Sequence, residues 1–172
     1  MTCLRRSLFA LLLAWGVGAA GLAVAAEGGE VLGSATGLPL PRFVSLGADK
    51  ANARTGPGKR YPISWVFVRR GWPLRVVAEF ENWRKVRDLD GAEGWVHKSL
   101  LSGRRTAVVV DKTRALLSEP SDRSTPVLRA EAGVVGKLLA CRTGWCRMEV
   151  AGISGWIPRD HIFGELSTEK FD

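Results

Sequence analysis

The sequence predicts an all-β protein made of two small β-barrels in tandem. One observation is a repeat in which a tryptophan is followed, after a turn, by a Gly-Trp pair: Trp83 with Gly94-Trp95, and Trp145 with Gly155-Trp156. Another is that short aromatic or β-branched segments alternate with Gly, Pro, Asn and Asp after residue 41. No segment there shows helical periodicity. Duplicated short-strand modules usually bind rather than catalyse.

Residues 1–26 have the pattern of a cleaved secretory signal peptide. Two arginines precede an apolar run from Leu8 to Ala26, and small residues stand at the minus-three and minus-one positions of a cleavage after Ala26. Cleavage after Ala25 is the alternative. An uncleaved membrane anchor is the other interpretation, but glycines interrupt the run, and its apolar core is shorter than the roughly 20 residues that span a bilayer. We therefore expect export, with no membrane span after cleavage.

The net charge of the chain indicates which classes of partner it favours. The formal net charge is +8 and falls to +6 when the signal, with two arginines and no acids, is removed. A basic exported protein is predisposed toward anionic surfaces such as cell-wall polymers, lipid head groups or acidic proteins. No nucleic acid is expected as a partner in that compartment. Most charges are scattered as on a solvated surface, and the adjacent arginine pairs after the signal are Arg69-Arg70 and Arg104-Arg105.

The first barrel is predicted over residues 42–103, after a flexible leader at 27–41 that is rich in Gly, Ser, Thr and Pro. An Asp-Gly pair at 90–91 marks a hairpin turn between its last two long strands. About five strands in this length suit a small barrel, in which closure removes exposed edges. The expected strands are 43–46, 65–68, 74–78, 83–86 and 94–96.

The second barrel is predicted over residues 104–165, with a tail at 166–172. Equivalent positions keep nearly constant spacing: Pro57 and Pro120 are 63 residues apart, Trp83 and Trp145 are 62 apart, and Trp95 and Trp156 are 61 apart. The domains divide near 103–106, and this short linker allows them to pack together through Val108 to Val110. The expected strands are 107–110, 133–140, 145–150 and 155–157, with the closing hairpin around Ala151-Gly152.

Four segments carry a resemblance to a known family: NARTGPG at 52–58, YP at 61–62, FENWRKVRDLDGAEGWVHKSLLSGRR at 80–105 and GWCRMEVAGISGWIPRD at 144–160. They are similar to bacterial Src-homology-3 (SH3) domains of the exported type, more strongly in the first copy than in the second. The resemblance implies five- or six-stranded barrels that target or bind, commonly toward peptidoglycan stems or protein peptides of the cell envelope. It implies no family-wide catalytic activity.

Candidate ligand residues lie in the first copy. The segment around Thr55 to Gly58 corresponds to the loop that lines the peptide groove of SH3 folds, where Arg54 could meet a carboxylate and Tyr61 could offer a flat face. The alternative for Arg54 is a structural tie between the turn and the barrel backbone. A groove position is favoured for Tyr61, because its hydroxyl needs a polar partner. The Asn52, Arg54 and Tyr61 positions become Ala115, Leu117 and Ser124 in the second copy.

The tryptophans divide into three groups. Trp83 and its repeat Trp145 begin a hairpin near the groove, so binding and packing both remain open. Trp95 and its repeat Trp156 are expected to pack against the core. Trp65 and Trp72 have no counterpart in the second copy, which favours a local binding surface or an interdomain contact, with partial burial as the alternative.

Cys141 and Cys146 are predicted to form a structural disulfide, because export favours oxidation and the four residues between them can form a tight turn. The short loop should contribute about 2 kcal/mol. A Cys-x-x-Cys motif at a helix start, as redox catalysis would favour, is lacking in this pair. We expect no metal, since the chain has two histidines besides this pair.

The sequence does not predict an enzyme, and no cofactor is expected. His97 and His161 follow the Gly-Trp strands with no thiol nucleophile left to them. Asp88, Asp90 and Glu93 are expected to be solvated turn residues rather than an acid/base pair.

We predict an exported, periplasmic or extracellular binding module for peptidoglycan stem peptides. The alternatives are an adaptor for extended segments of envelope proteins and a purely structural partner. The first barrel is expected to bind, and the second to stabilise or position it.

Overall fold

The computed structural model describes residues 31–167, whose regular elements are all β-strands apart from two 3-10 turns. The predicted signal peptide lies outside the described residues. The first half contains β1 (Val31–Leu32), β2 (Pro39–Leu40), β3 (Arg42–Leu46), β4 (Ala51–Arg54), β5 (Ile63–Phe67), β6 (Pro73–Phe80), β7 (Trp83–Arg87), β8 (Glu93–His97), a 3-10 turn at Lys98–Leu100 and β9 (Leu101–Ser102).

The second half repeats this order. It contains β10 (Thr106–Val109), β11 (Arg114–Leu117), β12 (Pro126–Ala130), β13 (Val135–Arg142), β14 (Trp145–Val150), β15 (Ile153–Pro158), a 3-10 turn at Arg159–His161 and β16 (Ile162–Phe163). No helix in residues 31–167 is long and apolar enough to cross a membrane.

Two seven-stranded antiparallel sheets form the tandem units. The order is β5-β4-β8-β7-β6-β3-β9 in the first and β12-β11-β15-β14-β13-β10-β16 in the second, which is the same topology. Each sheet encloses its own hydrophobic core, with Leu74, Val76, Val86 and Val96 in the first and Leu116, Leu138, Met148 and Ile157 in the second. The predicted all-β tandem architecture is confirmed.

The repeated Gly-Trp pair marks a crossing of strands. A Cβ on Gly94 would lie 2.7 Å from the Cβ of Ala53 on β4, and one on Gly155 would lie 2.8 Å from the Cβ of Leu116 on β11. Only glycine permits this approach, so the pair records a packing requirement. The pleat then turns the following tryptophan outward. Trp95 is half-buried, and the core position is Val96.

Strand β4 is not among the predicted strands, and the sequence placed Asn52 and Arg54 only as residues that precede the ligand loop. Alanine and asparagine have low strand propensity, so the composition of residues 51–54 hides the strand. Its alternation is nevertheless regular: Ala51 and Ala53 are buried in the core, while Asn52 and Arg54 are on the other face. The equivalent β11 and its partner β12 were also missed.

Residues 31–40 differ from the predicted flexible leader. Strands β1 and β2 pair as a hairpin whose loop encloses the carboxylate of Glu79. The amides of Ala35 and Thr36 donate to Glu79 Oε2 at 3.0 and 2.9 Å, and Thr36 Oγ1 donates to Oε1 at 2.8 Å. A Cβ on Gly33 would lie 2.4 Å from Glu79 Oε2, so a larger residue there would displace this carboxylate from its partners. Glu79 thus orders a segment whose composition alone indicates flexibility.

Aromatic rings and an arginine form part of the contact between the barrels. The rings of Phe43 and Phe163 meet edge to face with centroids 5.0 Å apart. The Arg75 guanidinium lies 5.2 Å from the first centroid and 5.7 Å from the second. Such stacking combines apolar burial with cation–π attraction. The same arginine therefore contacts both barrels.

Two hydrogen bonds also join the barrels. Thr106 Oγ1 donates to the carbonyl of Gly71 at 2.6 Å, and Arg69 Nη1 donates to the carbonyl of Gly133 at 2.6 Å. Because successive residues of a strand face opposite sides, Val108 lies on the Thr106 side of β10 and is fully buried. Among residues 108–110, where packing between the barrels was expected, Val108 is thus the one that is fully buried on this face.

The predicted Cys141–Cys146 disulfide is confirmed. The two cysteines are direct register partners in the β13–β14 hairpin, and both are buried in the second core. Thr143 and Gly144 form the turn between the strands, with Gly144 at a φ of 81°. The disulfide therefore fastens the hairpin next to its turn.

Candidate functional site

A groove on the first barrel brings together two of the predicted ligand residues, Arg54 and Trp83. It has a volume of about 150 Å³ and lies where β4, the following loop, the start of β7 and the first 3-10 turn meet. Its lining combines two cationic groups, two aromatic rings, an amide and a leucine: Arg54, Lys59, Trp83, His97, Asn52 and Leu100. We call this set the groove.

Arg54 has a structural role as well as a place in the groove. Its Nη1 donates to the carbonyl of Tyr61 at 2.7 Å, which ties the loop of residues 55–61 to β4. Its backbone pairs with Trp95 on β8. Arg54 therefore shapes the groove by holding the loop, and its half-buried side chain also lines the cavity.

Tyr61 lies beside the groove and organises the loop. Its ring covers Gly56 so closely that a Cβ there would lie 2.5 Å from Tyr61 Cδ1. The Arg60 guanidinium is 5.2 Å from the centre of the ring, and its Nη2 donates to the hydroxyl at 3.4 Å. The hydrogen bond with the Tyr61 hydroxyl raises the pKa of Arg60. The Tyr61 ring thus packs on the glycine loop that carries Lys59.

Trp83 and His97 form an aromatic wall. They are register partners on β7 and β8, and their rings meet edge to face with centroids 5.4 Å apart. His97 Nδ1 lies 2.8 Å from Ser99 Oγ, and the amide of Ser99 also donates to this nitrogen at 3.4 Å. The imidazole is therefore fixed by the 3-10 turn that it caps, and the ring faces of the wall are held in place.

Trp65 and Trp72 lie together in a different cavity, which we call the Trp65 cleft. It has a volume of about 250 Å³, and Val66, Phe67, Val68, Arg69, Asp88 and Asp90 complete its lining. Trp65 is 51% exposed, whereas Trp72 packs against the first core and lies under the Arg69 guanidinium at 5.5 Å. The predicted local surface thus has one open tryptophan and one partly buried one.

The acidic residues beside this cleft stabilise the β7–β8 turn. Asp88 Oδ1 accepts from the amides of Asp90 and Ala92 at 3.1 and 2.8 Å. The prediction of a solvated turn residue is wrong for Asp88, which is buried, and burial raises its pKa despite these bonds. Glu93 pairs with Lys85 at 2.8 Å and with Arg87, and these hydrogen bonds lower its pKa.

The second barrel lacks the polar lining of the groove. Leu117 pairs with Trp156 in the register position that Arg54 occupies against Trp95. Trp145 keeps the position of Trp83, but its cross-strand partner is Pro158 rather than a histidine. The arginine and the histidine that line the first groove therefore have no equivalents in the second barrel.

Comparison with known proteins identifies a family. The sequence model of the bacterial SH3 domain matches residues 47–103 and again residues 110–164. No curated protein matched the chain.

Several solved structures are similar. NlpC2 from Trichomonas vaginalis has 17% identity over 76% of this chain and 51% of its own, with a TM-score of 0.35. NlpC1 from the same organism has 17% identity over 78% and 49%, with a TM-score of 0.34. An NlpC/P60 family protein from Bacillus cereus ATCC 10987 has 15% identity over 74% and 58%, with a TM-score of 0.33. The chain matches about half of the length of these proteins.

Proposed function

Since the chain belongs to the bacterial SH3 domain family, with two adjacent copies, we propose that it is a non-catalytic cell-envelope module whose groove holds peptidoglycan stem peptides. The family resemblance inferred from the sequence is confirmed. Bacterial SH3 domains commonly bind cell walls or proteins and are commonly exported. For this chain we further propose a specific ligand, a specific groove and a periplasmic location, with the extracellular space as the alternative.

One observation supports this function: the groove places cationic groups beside a fixed aromatic wall. A stem peptide is a short extended chain that carries carboxylates and small apolar side chains. Lys59 and Arg54 can attract the carboxylates, while the wall of Trp83 and His97 offers flat apolar faces at low entropic cost. The positive charge of the chain would draw it toward an anionic wall.

The non-catalytic part of the proposal rests on the local roles of His97 in the groove and of Asp88 in the Trp65 cleft. The hydrogen bond between His97 and Ser99 joins residues two positions apart and caps a 3-10 turn. The buried carboxylate of Asp88 accepts hydrogen bonds from its own turn. Each of these titratable groups is thus committed to holding backbone. An assay of the purified protein for release of soluble muropeptides from sacculi should show none.

Sedimentation with purified sacculi tests the groove. Lys59→Gln should weaken binding about threefold, as expected for one exposed charge. Trp83→Leu should weaken it about tenfold, because it removes a central aromatic contact. Lys50→Gln is the matched control, since Lys50 is exposed and outside the groove. Arg54→Ala is less informative, because it also releases the Tyr61 carbonyl. If the wild type fails to sediment, or if both groove variants match the control, the proposal is wrong.

The alternative function, an adaptor for envelope proteins, is favoured by the Trp65 cleft. Trp65 is 51% exposed and the adjacent Val68 is 72% exposed, which is an apolar surface suited to a protein partner. A Trp65→Ser variant separates the two functions. It should leave sacculus binding unchanged if the groove is the wall site, and it should abolish salt-insensitive capture of a single envelope protein if the adaptor is correct.

A further inference from the structure

We propose that a second site, at the junction of the two barrels, binds a phosphate group. A polar cavity of about 290 Å³ lies between β3, β9, the first 3-10 turn and the linker. Its lining is mostly arginine, serine and backbone, and it includes Ser45, Gly47, Arg70, Ser99, Ser102 and Arg104. We call this cavity the junction pocket. It is separate from the groove, although the 3-10 turn borders both.

The fold brings one arginine from each of two Arg-Arg pairs to one place. Ser45 pairs with Ser102 in the β3–β9 ladder, which carries the following Arg104 toward β3. The amide of Gly71 donates to the carbonyl of Leu46 at 2.7 Å, which brings Arg70 to the same end of β3. One arginine from each pair therefore lines the pocket, although 34 residues separate them in the sequence. Two guanidinium groups at one cavity create a positive potential there.

Arg104 is available to a ligand. Its side chain is exposed, and in residues 31–167 no acidic side chain pairs with it. Its backbone amide donates to Ser102 Oγ at 3.2 Å. This bond uses the serine oxygen as the acceptor and leaves the hydroxyl proton free to donate. The pocket thus offers an uncompensated guanidinium beside a hydroxyl donor.

Arg70 already has partners, but one of them competes only weakly with a ligand. Its Nε lies 3.0 Å from Asp49 Oδ1, and its Nη1 donates to the carbonyl of Gly47. The pair with Asp49 is solvent-exposed, with side chains 61% and 85% accessible, so it contributes little stability. An incoming anion can therefore displace Asp49 while the carbonyl of Gly47 keeps the guanidinium oriented.

The donors suit a tetrahedral oxyanion. Guanidinium groups present parallel N–H donors that match two oxygens of a phosphate, and two arginines can serve opposite edges of one group. The hydroxyl of Ser102 supplies a further donor for a remaining oxygen. A carboxylate has only two oxygens and would leave part of this set unused. The shared chemistry is a phosphate group, whether carried by a small molecule or by a phospholipid headgroup.

Titration with inorganic phosphate, at ionic strength held constant with chloride, tests the site. Amide signals of Gly47, Ser99 and Ser102 should shift together and saturate below about 10 mM in a heteronuclear NMR experiment. Arg104→Gln should weaken binding roughly fivefold to tenfold, as for a lost charge-assisted hydrogen bond. Asp49→Asn should strengthen it roughly twofold to threefold, because the competing carboxylate is removed.

Controls separate this site from the groove and from general charge effects. Arg123→Gln removes an exposed arginine from the second barrel and should leave phosphate binding unchanged. Lys59→Gln should also leave it unchanged, so failure of the groove proposal would not affect this result. Shifts that do not saturate, or equal affinities for the Arg104, Asp49 and Arg123 variants, would overturn the proposal.

Vesicles distinguish the two sources of the phosphate. Flotation with phosphatidylglycerol in phosphatidylcholine, compared with phosphatidylcholine alone, tests the headgroup. Binding to the anionic vesicles that Arg104→Gln reduces supports a phospholipid source. Phosphate titration without vesicle binding supports a small phosphorylated ligand. If neither probe responds to Arg104→Gln, the junction pocket is not a phosphate site.

Discussion

The first barrel fastens the β6–β7 hairpin with a buried ion pair, whereas the second fastens the equivalent β13–β14 hairpin with a disulfide. Glu79 stands opposite Arg84, with Arg84 Nε 3.2 Å from Glu79 Oε1. Cys141 stands opposite Cys146 at the same distance from its turn. One register position in one topology thus carries two kinds of cross-link.

The difference shows what a charged cross-link requires from its surroundings. A buried carboxylate is costly unless its oxygens are satisfied, so the Glu79 carboxylate also takes donors from Arg42, Ala35 and Thr36. A disulfide has no such need. The second barrel accordingly begins directly at β10, while the first is preceded by the β1–β2 hairpin. The additional hairpin of the first barrel thus supplies donors that its charged cross-link uses.

The largest effect should come from Glu79→Gln. This change leaves the guanidinium groups of Arg42 and Arg84 without their carboxylate in a buried site, so we expect a loss of about 3 kcal/mol in the free energy of unfolding. Guanidinium chloride denaturation followed by tryptophan fluorescence measures it. Glu119→Gln, on the exposed surface of the second barrel, is the control and should change stability little. A loss no greater than that of the control would show that the ion pair does not hold the first barrel.

A smaller loss should follow removal of the disulfide by a Cys141→Ala, Cys146→Ala double substitution. The cross-link closes a short loop, so its contribution should be about 2 kcal/mol. Hydrogen exchange should quicken in β13 and β14 and remain unchanged in β6 and β7. Faster exchange in both barrels would instead mean that they unfold as one unit and that the two cross-links do not act independently.

Acid should weaken the first barrel selectively. Burial raises the Glu79 pKa, but donors from Arg42, Thr36 and the Ala35 amide outweigh it and hold the pKa below its ordinary value of 4.5. A carboxyl whose pKa is lower in the folded state stabilises the fold above its unfolded pKa, and this contribution is lost as pH falls through the folded value. The stability difference between wild type and Glu79→Gln should therefore shrink below pH 4.5. A difference that stays constant down to strong acid would contradict this assignment.

The strands of both closing hairpins could be predicted because apolar and polar residues alternate there and glycine marks the turns. Strand β4 could not, since its buried residues are alanines chosen for close crossing rather than for strand propensity. The β1–β2 hairpin could not either, because Glu79, which orders it, lies 43 to 45 residues further along the chain. Composition reports local preference, and this segment is ordered by a distant charge.

The candidate groove was partly visible in the sequence. Arg54 and Trp83 were proposed, and the structure places both in one cavity, while Tyr61 lies beside it and Trp65 and Trp72 lie elsewhere. His97 was missed as a groove residue, although pairing the strands across the Asp-Gly turn would have set it opposite Trp83. Lys59 carried no such signal, because its position depends on how the tyrosine ring folds the glycine loop. The ligand roles remain predictions.

The link between the β1–β2 hairpin and Glu79 also sets an order of assembly. An isolated two-stranded hairpin is marginal in water, and this one has its anchoring carboxylate on β6. A chain synthesised from its N-terminus therefore contains residues 31–40 long before they can be fixed. The hairpin is therefore synthesised before the carboxylate that fixes it, and it can dock only after β6 presents Glu79.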